Sequence, residues 1–209
     1  MRQPEVKRVD DPAMGIRSSR RVLLARGGVL GALATIPLIG RLLQLGDASA
    51  SPSKAQDSKI LQLVLLLEYT QVAFYEEALR QAGLTGDLHD FAQAALEHEK
   101  QHLAAIRKAL GTTAGAKPSF DFGQNVKSAR ACSEAAIQLE DTAVASYNGQ
   151  ATNLTKGTLA VAAEIVSVEA RHAAWVRAIA GQVAAPDPVD VPMTAKQAVH
   201  SLHEIGLRT

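Results

Sequence analysis

The sequence predicts an all-α four-helix bundle. The first observation behind this is a residue set that occurs twice: Glu68 followed by Glu99-Lys100-Gln101-His102, then Glu140 followed by Glu169-Ala170-Arg171-His172. Four glutamates and two Glu-x-x-His pairs are what a bundle needs to gather carboxylates and imidazoles around its axis. The second is composition. Aromatic residues make up 4% of the chain and alanine is abundant, which favours packed helices over pleated sheet. The third is punctuation: apolar runs at helical spacing stop at Gly83, Gly111 and Gly181, the residue type that most readily ends a helix.

Residues 1–50 stand apart from the bundle. Ser19-Arg20-Arg21-Val22-Leu23-Leu24 leads into an apolar stretch from Gly27 to Gly40, and Ala48-Ser49-Ala50 follows as a small-x-small cleavage pattern. A basic segment, a short apolar core and such a site read as a signal peptide, and the paired arginines resemble a twin-arginine signal. The uncharged stretch between Arg26 and Arg41 is shorter than the ~20 residues that span a bilayer, so an uncleaved anchor is the weaker reading. The expected plan is a twin-arginine-type signal at 1–50, a bundle at 51–182 and a tail at 183–209. Export to the periplasm or another extracytoplasmic space follows, with the twin-arginine export machinery as partner.

Residues 51–56 are polar and expected to fray. The first helix is expected from the cap candidates Asp57 and Ser58 to Gly83. Ile60, Leu61, Val64, Leu65, Glu68, Val72, Tyr75 and Leu79 share one of its faces. Asp87 is the cap candidate for a second helix ending at Gly111. A third helix opens at Asn125 or Ser128 and ends near Gln150; a fourth runs from the cap Thr155 to Gly181. The first and last pairs have short connections and read as antiparallel hairpins. The middle connection, Thr112 to Gln124, is long enough to run the length of the bundle: at about 3.3 Å per extended residue it reaches ~43 Å. Beyond Pro186, Pro188 and Pro192, a short helix from Thr194 to Ile205 is placed to pack back. Its His200 and His203 lack a matching carboxylate set and read as surface or packing residues.

The two halves match beyond the motif. Leu67-Glu68-Tyr69-Thr70-Gln71-Val72-Ala73-Phe74-Tyr75 aligns with Leu139-Glu140-Asp141-Thr142-Ala143-Val144-Ala145-Ser146-Tyr147, and Leu, Glu, Thr, Val, Ala and Tyr agree at equal offsets. Glu99 follows Glu68 by 31 residues and Glu169 follows Glu140 by 29. One helical hairpin has been used twice, the internal repeat that fixes an architecture. With 11 Glu and 6 His in 209 residues, random placement gives roughly 0.3 Glu-x-x-His pairs, so two pairs at matching distances are not chance.

On a helix, positions i and i+3 share a face. Glu99 with His102, and Glu169 with His172, can each reach one metal ion, and Glu68 and Glu140 can bridge or cap the pair. Carboxylate oxygens mixed with imidazole suit iron or manganese. Four carboxylates balance two divalent ions, and without them the cluster would repel itself and be driven toward protonation. A competing signature overlaps the first pair: His98-Glu99-Lys100-Gln101-His102 spells the His-Glu-x-x-His of zinc metalloproteases, with Glu99 as general base. The repeat opposes it, because Val168 stands where a second His98 would be.

Tyr75 and Tyr147, seven residues after Glu68 and Glu140, read as buried tyrosines with bonded hydroxyls. Arg107 and Arg177 read as solvated helix ends, and Glu76, Glu77, Glu97 and Glu164 as residues outside the site. Cys132 reads as a small apolar helix residue. The net charge of +1 gives no footprint for nucleic acid.

These motifs resemble the ferritin-like superfamily over roughly residues 57–182, and within it the exported ferritin-like domain proteins of the desiccation-related type. The resemblance implies a ferritin-like four-helix bundle with a long crossover between its second and third helices (the B–C crossover) and a short C-terminal helix. It implies Glu68, Glu99, His102, Glu140, Glu169 and His172 as six metal ligands for two ions, iron first and manganese second. Rubrerythrins, bacterioferritins and manganese catalases share that ligand logic, so it identifies a site and not a reaction. Cage-forming ferritins usually lack the second complete Glu-x-x-His, which counts against storage in a shell. The expected function is an oxidative-stress-related redox protein with ferroxidase- or peroxidase/catalase-like chemistry on O2 or peroxide. A non-catalytic metal-binding or structural stress protein is the alternative. Homo-oligomerisation is compatible with either.

Overall fold

The computed structural model describes residues 51–208; the expected signal peptide lies outside the described residues. Five helices follow in order: α1 (Lys54–Gln81), α2 (Gly86–Leu110), α3 (Ala129–Gln150), α4 (Lys156–Ile179) and α5 (Ala195–Ile205). Two short strands, β1 (Ser119–Phe120) and β2 (Leu207–Arg208), pair antiparallel, with Ser119 opposite Arg208 and Phe120 opposite Leu207. None of the described helices is long and apolar enough to cross a membrane.

The helix ends follow from local chemistry, with corrections at three starts. α1 begins at Lys54 and not near Asp57, because the Ser53 hydroxyl accepts from Gln56 N at 3.2 Å; the polar segment expected to fray is the first turn of the helix. Asp57 is turned elsewhere, onto α4, where Thr155 holds the expected cap position but makes no side-chain cap bond of its own and donates to Asp57 instead. Asp87 lies inside the first turn of α2, which starts after Thr85 without a side-chain cap. Ser128 caps α3 by accepting from Ala131 N, whereas Asn125 donates to Ile205 O at 2.9 Å. α5 carries a complete capping box between Thr194 and Gln197. Gly83, Gly111 and Gly181 follow their helices at positive φ, a conformation glycine adopts without a Cβ clash.

Side-chain contacts fix the helix directions. Gln62, near the start of α1, donates to Thr113 O and accepts from Gly115 N just past the end of α2, so α1 and α2 are antiparallel. Lys127, just before α3, reaches Gln81 at the end of α1, so α3 also runs against α1. Asp57 at the start of α1 holds the start of α4, so α4 runs with α1. The connection between α2 and α3 therefore travels from one end of α1 to the other, the crossover the chain length allows. α2 has 25 residues, about 38 Å at 1.5 Å per residue.

The core forms where these helices meet. Leu63, Leu65, Leu66 and Leu67 of α1 are all fully buried, so the middle of α1 is enclosed on every side and not only along one stripe. Phe122 of the crossover packs edge-on against Phe74, with ring centroids 5.4 Å apart. α5 lies on α3, burying Ala195, Ala198, Val199, Leu202 and Ile205, and the Thr142 and Ser201 hydroxyls meet at 2.7 Å. Together with the β1–β2 pair, this straps the crossover to the C-terminal segment.

Candidate metal centre

The register of four helices brings Glu68 (α1), Glu99 and His102 (α2), Glu140 (α3), and Glu169 and His172 (α4) to one place at mid-bundle. They form two overlapping quartets: Glu68, Glu99, His102 and Glu169; and Glu99, Glu140, Glu169 and His172. Within each quartet the ligand-type atoms lie within 4.8 Å of one another. Glu99 and Glu169, the glutamates of the two Glu-x-x-His pairs, stand in both. Glu68 and Glu140 stand in one each. All four glutamates are fully buried.

Both histidines face the cluster through Nδ1. His102 Nδ1 is 2.9 Å from Glu169, 3.1 Å from Glu99 and 3.6 Å from Glu68. His172 Nδ1 is 3.0 Å from Glu99 Oε1 and 3.5 Å from Glu140. The first of these His172 contacts is close but not aligned as a hydrogen bond: His172 Nδ1, Glu99 Oε1, Glu169 Oε1 and Glu68 Oε2 are all buried without a hydrogen-bond partner. Buried polar atoms in that state are uncommon and cost ~1–3 kcal/mol each. Here they converge with lone pairs of the hard-oxygen and imidazole type, so the residues present fit a pair of divalent cations.

The fold and this ligand arrangement agree with the comparison to known families. The family described as "Ferritin-like domain" matches residues 56–182. The chain belongs to the ferritin-like domain family. None of the curated proteins compared with it matches.

Around the ligands of this ferritin-like domain lies a ring of hydrogen-bonding groups. Tyr75 donates to Glu140 Oε1, and Tyr147 donates to Glu68 Oε1 at 2.9 Å; each tyrosine holds a glutamate of the other half. The expected bonded hydroxyls are present, and their partners are the Glu140 and Glu68 carboxylates. Gln71, fully buried, donates to Glu140 Oε2 at 3.2 Å and to Glu169 Oε2 at 2.8 Å. Sequence reasoning missed it, although its place beside Glu68 on α1, three residues on, was a readable signal. His98 Nδ1 lies 2.9 Å from His172 Nε2. The zinc-protease signature needs His98 and His102 on one ion with Glu99 outside it. Instead Glu99 stands in both quartets, and His98 in neither.

Electrostatics match a site built for cations. Burial pushes Glu68 well above the usual carboxylate range and Glu140 up to about 7. Burial and the neighbouring Glu169 charge raise Glu99. Glu169 is pushed up by burial too, but the close His102 imidazole, 2.9 Å away, and then the His172 charge outweigh that and hold it low. Burial favours neutral imidazoles, yet the surrounding carboxylates prevail and hold His102 at about 12 and His172 at about 10. Without a metal, the cluster fills with protons in place of cations.

The remaining candidates sort cleanly. Arg177 is not a solvated helix end: it pairs with Asp141 at 2.5 Å and ties α4 to α3, while Arg107 is exposed. Glu76, Glu97 and Glu164 are exposed and Glu77 is half-buried, all outside the site. His200 is exposed, and His203 Nδ1 lies 3.0 Å from Leu207 O. Burial pushes the Cys132 thiol up to about 12, which leaves it an inert core residue. A cavity of about 440 Å³ opens from the surface onto His102 and His172, framed by His98, Gln101, Arg171 and Trp175.

Proposed function

We propose that this chain is an exported di-metal carboxylate protein, di-iron first and dimanganese second, that reacts with O2 or peroxide in an oxidative-stress setting. The observation that carries the reading is the pair of buried quartets sharing Glu99 and Glu169. In it, Glu99 and Glu169 would hold both ions, Glu68 with His102 would complete one position and Glu140 with His172 the other. A redox-active pair bound there would supply electrons to O2 or peroxide, or, in catalase-like turnover, would also take them from a second peroxide. The chain's own part is preorganisation: Tyr75, Tyr147 and Gln71 fix the carboxylates, burial excludes bulk water, and the opening beside His102 and His172 admits small molecules only. Ferroxidase-like and catalase-like turnover both fit this arrangement.

Export through the twin-arginine route is part of the proposal, supported by Arg20-Arg21 ahead of the Gly27–Gly40 stretch and by Ala48-Ser49-Ala50. That route carries folded proteins, so the metals would be loaded before export. Replacing both arginines with lysine should leave the precursor in the cytoplasm; unchanged export would remove this part.

The test of the site is metal analysis of protein reloaded with ferrous or manganous ion, followed by oxidant consumption. Expected are two ions per chain, lost when all four glutamates become glutamine, and turnover of O2 or peroxide that is lost with them. Full loading with no turnover on either oxidant would replace the enzyme by the non-catalytic metal-binding protein.

A further inference from the structure

The two halves of the repeat are equal in ligands but not in what stands behind them. Where the first half has Gln71 the second has Ala143, and where the first has His98 the second has Val168. His98 acts on one metal position only; Gln71 acts on that same position through Glu140 and on both positions through the shared Glu169, to which it donates at 2.8 Å. Gln71 donates to Glu140 Oε2, whereas the corresponding Glu68 Oε2 has no hydrogen-bond partner among the described residues. His98 Nδ1 meets His172 Nε2 at 2.9 Å. The two rings are nearly coplanar, 6° apart with centroids 5.2 Å from one another, the separation of two imidazoles joined edge to edge through one proton. For His102 the equivalent neighbour is Val168, an alkyl group that lines the same opening and can neither donate nor accept.

We infer that the two metal positions are inequivalent, and that the Glu140–His172 position, backed by Gln71 and His98, binds the tighter and first-filled ion. The inference rests on the di-metal reading above. Its physical basis is orientation. When Nε2 of His172 donates to His98 Nδ1, the tautomer is fixed with the Nδ1 lone pair toward the cluster, and the ring is held in plane. Gln71 does the same for the Glu140 carboxylate. Outer partners of this kind typically change metal affinity by about 10–100-fold. Glu68 and His102 have Tyr147 behind the carboxylate and nothing equivalent to His98 behind the imidazole. His98 and Gln71 are thus positioning residues.

The experiment is calorimetric titration of the metal-free full chain with manganous ion, followed in parallel by the electron paramagnetic resonance signal of the free ion. Wild type should bind two ions in resolved steps at least about tenfold apart. H98V, which copies the second half onto the first, should weaken the tight step by about 10–100-fold and leave the weak step in place; Q71A, which also releases the shared Glu169, should weaken the tight step more than the weak one. E68Q should remove the weak step and keep the tight one, and E140Q should do the reverse. V168H, which copies the first half onto the second, should strengthen the weak step and keeps the test open if H98V or Q71A folds poorly by circular dichroism. Two ions with equal constants, equal weakening of both steps by H98V and Q71A, or loss of the tight step in E68Q would each overturn the inequivalence alone. Failure of wild type to bind two ions would overturn the di-metal reading beneath it.

Discussion

Tyr75 and Tyr147 reach across the bundle in a reciprocal pattern, Tyr75 donating to Glu140 and Tyr147 to Glu68 of the opposite half. Their phenols stay protonated: burial, then the Glu140 charge beside Tyr75 and the Glu68 charge beside Tyr147, push both well above the usual range. They are donors and not acids here. Tyr147→Phe removes the donor to Glu68 Oε1 and leaves that buried carboxylate with one further orphan atom. Manganous ion should bind the Glu68–His102 position about tenfold or more weakly by titration, and the metal-free fold should lose ~1–3 kcal/mol in denaturant unfolding. An unchanged affinity would mean that the tyrosine only fills space.

Two contacts decide how whole elements sit. Asp57 is 3% exposed and accepts from Thr155 N at 2.8 Å, Thr155 Oγ1 at 2.6 Å and Thr158 Oγ1 at 2.7 Å, so α1 supplies the cap of α4. Burial raises its pKa, but the Thr155 and Thr158 hydrogen bonds outweigh it and hold the carboxyl below its ordinary value of 3.8. A lowered carboxyl contributes stability that is present above its unfolded value and lost as pH falls through the folded one. This contribution is therefore intact at neutral pH and disappears only in strong acid. Asp57→Ala should cost ~2–4 kcal/mol by denaturant unfolding, and the gap to wild type should narrow as pH falls from 3.8 toward the lowered folded value. At the other contact, α3 passes the tail at Gly149, where an added Cβ would stand 1.9 Å from Met193 O, beside the Met193 N to Ala145 O hydrogen bond of 2.8 Å. The backbone there cannot move away cheaply, so Gly149→Ala should destabilise by ~1–3 kcal/mol and expose the 183–194 segment to limited proteolysis.

Across the whole molecule, the central cluster couples stability to metal and to pH with opposite signs. Glu140, His172 and His102 all have folded values raised above the ordinary 4.5, 6.5 and 6.5, to about 7, 10 and 12. A raised group contributes stability that is complete below its unfolded value and lost as pH rises through its folded value. Glu169, held low, opposes this, but the raised groups outnumber it. Chelated protein should melt at a lower temperature at about pH 8 than at about pH 6. Metal-loaded protein should show the reverse, because the ligands must lose their protons to bind. A hundredfold excess over Kd adds ~2.7 kcal/mol to the native state, so Tm should fall on chelation and recover with ferrous or manganous ion. Parallel pH profiles with and without metal would show that the cluster does not hold the ions.

The sequence by itself determined the helices, the repeat and the six converging residues. Each of those signals is local: Glu and His three apart on one turn, apolar residues at helical spacing, glycine where a helix must stop, and a connection long enough to run the bundle's length. Tertiary structure alone decided which residues meet across long separations. Asp57 reads as a cap of its own helix until α4 arrives from 98 residues away. His98 completes a zinc signature that the repeat already opposes, and only packing brings His172, 74 residues on, to its Nδ1. Gln71 is one polar residue among many until Glu140 and Glu169 stand opposite. The sharing of Glu99 and Glu169 between quartets, and the pairing of the crossover strand with the C-terminal one, follow from helix rotation and docking. Periodicity places a residue on a face of its helix, and only packing decides what that face meets.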